Sequence, residues 1–110
     1  MPNVKIYVNE DIYAAQRTAF AQILLPLRDI VTKHLNVPHS ACQFALLPVA
    51  ALTDQPSVNV EMHIMPRAAR TQETITAMGV EIQNGLRDVT GSSVAFRCAQ
   101  LDPETYVALK

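Results

Sequence analysis

The sequence predicts an α/β (α+β) fold made of two consecutive β-α-β units, giving a four-stranded mixed sheet with two helices on one face. Three observations carry that expectation. Four short segments alternate apolar and polar residues with period two, and two longer segments repeat their apolar residues with helical period. These segments follow one another in the order strand, helix, strand, twice over. With 110 residues the chain fits a single domain, 1–110, with pseudo-repeats 2–48 and 57–101. At that length about two-thirds of the unfolded chain's surface can be buried without help from disulfides or metal.

Val4, Ile6 and Val8 alternate with Lys5 and Tyr7 and define the first strand. From Asp11 the period changes, and Ile12, Ala15, Ala19, Ile23, Leu27, Ile30 and His34 fall on one helical stripe with Phe20, Leu24, Val31 and Leu35 beside it. Pro26 lacks an N–H and crowds the preceding turn, which predicts a kink or short break between Gln22 and Pro26. Pro38 closes this helix. Cys42, Phe44 and Leu46 then form the second strand, and 47–56, with two prolines, reads as a loop. Val58, Val60, Met62 and Ile64 give the third strand. A second helix begins near Ala69, places Ile75, Met78, Ile82, Leu86 and Val89 on one face, and stops at Gly91. Val94, Phe96 and Cys98 make the fourth strand, and 101–110 is a tail. Phe44, Ile64, Ile82 and Phe96 lie on the inward stripes of four elements and are expected to be almost fully buried.

Two architectures accommodate this order. One is ferredoxin-like, with antiparallel neighbours; in the other each half is a β-α-β unit with parallel strands and a right-handed crossover. A first helical pattern of about 24 residues, Asp11 to His34, favours the second.

Composition narrows the function. Nine Lys and Arg against ten Asp and Glu give a net charge of −1, so there is no global positive field to draw in nucleic acid or an acidic membrane. The apolar runs fall short of the ~20 residues of a membrane span, and no basic region followed by an apolar run opens the chain, which predicts a cytoplasmic protein. Cys42 and Cys98 suit reduced, buried thiols rather than a disulfide framework. A 49% hydrophobic content with 17% charge points to an oligomer that hides apolar surface between subunits. No glycine-rich phosphate loop or Cys-x-x-Cys pair occurs, so no cofactor is expected. His34, His39 and Cys42 span a helix end, a turn and a strand with no fourth ligand, so no metal is expected either.

Pro2 is the residue with chemical potential. Methionine before a small residue is commonly trimmed, and trimming exposes Pro2 as a secondary amine at the head of the first strand. Burial or a nearby cation lowers an amine's pKa toward neutrality, where it acts as a general base on carbon next to a carbonyl. With Met1 retained the same nitrogen is a tertiary amide without a basic lone pair. An ordinary proline ahead of a strand is the competing account.

Together, Met1-Pro2 followed by a strand, the repeated β-α-β order and the Arg-bearing turn Pro66-Arg67-Ala68-Ala69-Arg70 resemble the tautomerase superfamily. The appearance is most like the 5-carboxymethyl-2-hydroxymuconate isomerase and macrophage migration inhibitory factor members. Alanines stand where those isomerases carry glycine in the turn. The ending Tyr106-Val107-Ala108-Leu109-Lys110 is also similar to theirs. The resemblance implies a homotrimer, the N-terminal Pro2 as proton shuttle, and Arg67 and Arg70 as holders of a small anionic keto acid during keto–enol tautomerisation or double-bond migration. The alternative is a tautomerase-like or ferredoxin-like domain that binds or assembles without catalysis.

Overall fold

In the computed structural model, which describes residues 1–110, seven helices and strands follow one another: β1 (Asn3–Asn9), α1 (Glu10–Ala15), α2 (Arg17–Leu35), β2 (Gln43–Val49), β3 (Val58–Ile64), α3 (Gln72–Thr90) and β4 (Val94–Gln100). A short 3-10 turn, His39–Ala41, leads into β2. The sheet order is β2-β1-β3-β4. β1 pairs with β2 in parallel and β3 with β4 in parallel, while β1 and β3 meet antiparallel in the centre. Each half is thus a parallel β-α-β unit, which excludes the ferredoxin-like arrangement.

The period-two pattern is realised as burial. Val4, Ile6, Val8, Val58, Val60, Met62 and Ile64 pack beneath Phe20, Leu27, Val31 and Leu35 of α2 and Met78, Ile82 and Leu86 of α3. Removing this apolar area from water is the main stabilising term. The helix ends are capped as their residue types dictate. Asn9 accepts a hydrogen bond from the Asp11 amide, and Thr71 Oγ1 from the Thr74 amide at 3.2 Å. Gly91 closes α3 at φ 67°, its N–H donating to Arg87 O at 2.8 Å, in a conformation costly for residues with a Cβ.

Four expectations need correction. The first helical segment is broken at Gln16 (φ −136°, ψ 36°), whereas Pro26 lies inside an uninterrupted α2. Tyr13 and Phe20 stack across the break with ring centroids 5.9 Å apart, and Arg17 lies over the Tyr13 ring. That packing is a gain the chain makes by turning at Gln16, while Pro26 sits on the exposed face of α2. β2 continues to Val49 through residues assigned to the loop, because an edge strand tolerates Pro48. α3 starts at Gln72 rather than near Ala69, the hydroxyl of Thr71 fixing its first turn. Finally, Ile64 and Ile82 are almost fully buried but Phe44 and Phe96 are half-buried. Their registers are sound, since Phe44 pairs with Val4 and Phe96 with Val60. Both stand on the two edge strands, where one flank of each ring has no further strand to cover it.

Candidate active site

Four chain segments converge at one end of the sheet: the head of β1, the entry to β2, and the exits of β3 and β4. Pro2 sits among them, buried. Its carbonyl accepts from the Gln43 amide at 2.9 Å, and Asn3 is registered between Gln43 and His63. One residue earlier, Pro2 therefore lies between Cys42 and Ile64. Beyond Ile64, whose carbonyl takes the Leu101 amide at 2.9 Å, Pro66 ends the strand and the chain folds back, with the Arg70 amide donating to Arg67 O at 3.0 Å.

That turn separates the two arginines expected at the site. Arg67 is exposed. Arg70 is 4% exposed; its Nη1 donates to Met65 O at 2.6 Å, and its backbone carbonyl accepts from Gln100 Nε2 at 3.0 Å. Its Nε and Nη2 are buried and have no hydrogen-bond partner. Two unused donors on a buried cation are costly unless a ligand or another chain supplies the acceptor. A carboxylate suits them, since guanidinium donors match its oxygens in pairs.

The electrostatics at this end are one-sided. In the untrimmed chain the terminal amine belongs to Met1, and it is held below the ordinary α-amino value chiefly by burial, then by Lys110, Arg70 and Arg67. Burial likewise pushes the Cys42 and Cys98 thiols up, against the opposing pull of Arg28 on Cys42 and of Arg70 on Cys98. Both cysteines are free and half-buried rather than fully buried. The Arg70 guanidinium is itself pushed down by burial first and by Arg67 second.

Of the three histidines, His63 stands on β3 opposite Asn3, while the other two make ion pairs elsewhere. His34 Nε2 and Lys33 Nζ are each 3.2 Å from Glu81, tying α2 to α3, and His39 Nε2 is 3.0 Å from Asp29. None of the five concavities of the isolated chain includes Pro2, Arg67 or Arg70. The largest, about 650 Å³, lies on the open face of the sheet between Tyr7, Asn59 and Glu61 and the loop 50–57. Gln100, Cys42 and Lys110 were not singled out from the sequence as site residues, and nothing in their local patterns marks them. Arg28 did leave a signal, as the one charge inside the apolar stripe Phe20, Leu24, Val31, Leu35.

Solved structures give this arrangement its context. A macrophage migration inhibitory factor-like protein from Entamoeba histolytica superposes with a TM-score of 0.70 at 12% identity, over 97% of this chain and 94% of the other. The chain has the tautomerase-superfamily fold. A wild-type fused 4-OT, an asymmetric trimer, matches with a TM-score of 0.73 at 10% identity, over 96% of this chain and 91% of its own. The FG41 malonate semialdehyde decarboxylase matches with a TM-score of 0.61 at 22% identity, over 94% and 86%. No family model and no curated protein sequence matches the chain. No helix is long and apolar enough to cross a membrane.

Proposed function

We propose that this chain, once Met1 is removed, is a cofactor-independent tautomerase or isomerase acting on a small unsaturated keto acid. The observation that carries the reading is the pairing of a buried Pro2 with a buried Arg70 whose Nε and Nη2 have no partner. Trimming moves the amine one residue inward, from Met1 to Pro2. The same burial and the same cations then favour its neutral form, which takes a proton from carbon next to the substrate carbonyl and returns it at another position. Arg70 and Arg67 hold the substrate carboxylate, and their charge stabilises the enolate oxygen that develops. In this reading the chain works as a homotrimer, because a single copy leaves Pro2 without a pocket and neighbouring copies supply the remaining walls.

The test is turnover of phenylenolpyruvate by a preparation shown by mass spectrometry to begin at Pro2. Measurable tautomerisation, absent when Met1 is retained, is the expected result. No turnover of this substrate or of a 2-hydroxydienoate by the trimmed chain rejects the reading.

That none of the concavities of the single chain includes Pro2 favours one other account, a tautomerase-like domain that binds or assembles without catalysis. A native protein that keeps Met1 on its Pro2 nitrogen fits that account and not the first.

A further inference from the structure

Opposite charges stand side by side on the open face of the sheet without pairing. Val4, Ile6 and Val8 of β1 and Val58, Val60 and Met62 of β3 pack beneath the helices, so the alternate residues Lys5, Tyr7, Asn59 and Glu61 point away from them. Register sets Glu61 between Lys5 of β1 and Arg97 of β4. Neighbouring strands lie ~4.8 Å apart, close enough for either long cation to close on the carboxylate. Neither does. Lys5 Nζ donates to Asn3 Oδ1, toward the Pro2 end, and Arg97 Nη1 donates to Asn59 Oδ1, toward the other. The ion pairs of the chain lie among α2, α3 and the turn at His39, which leaves Glu61 without a partner.

Both unpaired charges open onto one cleft. Glu61 is the only charged residue lining the concavity of about 650 Å³, whose apolar wall is Val49, Ala50, Ala51, Leu52 and Pro56. Arg97 lines a smaller concavity, about 150 Å³, that shares Gln55, Pro56 and Asn59 with the first. The carboxylate thus serves one lobe and the guanidinium the other. Asn59 fixes the level at which the guanidinium is held, two residues from Glu61 and so about 7 Å along the strand. This cleft does not involve Pro2, which lies five residues before Tyr7 on β1, about 16 Å away along an extended chain.

We propose that this cleft is a second binding site, separate from the Pro2 end, that takes an apolar α-amino acid as its zwitterion: the ammonium on Glu61, the carboxylate on Arg97 and the side chain against Val49–Leu52. The charges are complementary and so are the dimensions. The ammonium nitrogen and carboxylate oxygens of an α-amino acid are roughly 3 Å apart, and a charge-assisted hydrogen bond of ~2.8 Å at each end bridges the separation of the two side chains. Arg97 keeps further N–H groups for the carboxylate while Nη1 stays on Asn59. Tyr7 and Asn59 stand opposite each other in the sheet between the two lobes, and their hydroxyl and amide supply neutral hydrogen bonds to the same ligand.

The experiment is calorimetric titration with L-leucine and its two truncated forms, 4-methylpentanoate, which lacks the ammonium, and 3-methylbutylamine, which lacks the carboxylate. The unmodified chain binds L-leucine about tenfold or more tightly than either. Glu61→Gln removes the preference over 4-methylpentanoate, Arg97→Gln removes the preference over 3-methylbutylamine, and Arg97→Lys, which keeps the charge but loses the fork, retains part of it. Equal binding of L-leucine and either truncated probe by the unmodified chain overturns the proposal without recourse to any variant, as does the lack of saturable L-leucine binding at millimolar concentration. A preference that survives in both glutamine variants overturns it too. Light scattering covers the competing role: loss of binding together with a change in assembled mass assigns Glu61 and Arg97 to a contact between copies, and the proposal fails. A chain that retains Met1 binds L-leucine as well as one that begins at Pro2, whereas binding confined to the trimmed chain places the ligand at the Pro2 end and overturns the second site.

Discussion

A proline nitrogen is a base only while it is unacylated and unprotonated, and both conditions are set by its immediate surroundings. The free amine is the active form, so kcat/KM falls as pH drops through the amine's pKa. In the untrimmed chain burial, then Lys110, Arg70 and Arg67, hold the Met1 amine low; on the proposed reading the same surroundings act on the Pro2 amine of the trimmed chain and extend activity toward acid pH. Arg70→Ala removes one of these cations, so the acid limb of the kcat/KM profile is expected to shift to higher pH while KM rises; an unmoved limb places Arg70 too far from the amine to matter. Pro2→Ala substitutes a primary for a secondary amine, and a rate loss of about 10²–10⁴ is expected with ligand binding retained. A loss smaller than about tenfold points to a different base. The sequence offered the proline and both arginines as candidates, and the structure shows only where each of them lies. What was not legible is that the Arg67–Arg70 turn buries one guanidinium and exposes the other, because that depends on Met65 O and Gln100, the first offering only a backbone acceptor and the second lying thirty residues away along the chain.

Elements are held to one another by contacts that a single methyl group can disturb. Gly79 of α3 is buried under Phe96, and a Cβ built there comes within 2.6 Å of the ring. Gly79→Ala gains about 1 kcal/mol in helix propensity and is expected to lose more through overpacking of ~1–3 kcal/mol. Urea unfolding should therefore show a net destabilisation that Phe96→Leu partly relieves. An unchanged midpoint would mean that the ring swings toward the open edge at no cost. The strand and helix periods were readable because burial imposes them directly on the residue order. The helix break was misplaced, since a proline on an exposed helix face can be accommodated while Tyr13 and Phe20 gain their stack only if the chain turns at Gln16.

At the scale of the molecule, β2 and β4 each end the sheet with one unpaired edge, and Phe44 and Phe96 stand half-covered beside them. Exposed strand edges and apolar surface favour association, and light scattering at micromolar concentration is expected to report the mass of a trimer. A monomer there removes the proposed walls of the site. Edge order was beyond the sequence, because alternation shows which face of a strand is buried but not which strand lies outermost. The position of Pro2 has a further, practical consequence. Any fusion placed ahead of it locks the nitrogen into an amide, so on the proposed reading an amino-terminal affinity tag converts the protein into its own inactive control, and the choice of expression vector becomes a chemical variable. A tag after Lys110 leaves the amine free but extends the segment whose ammonium acts on it; a cleavable leader that leaves Pro2 as the first residue disturbs neither end.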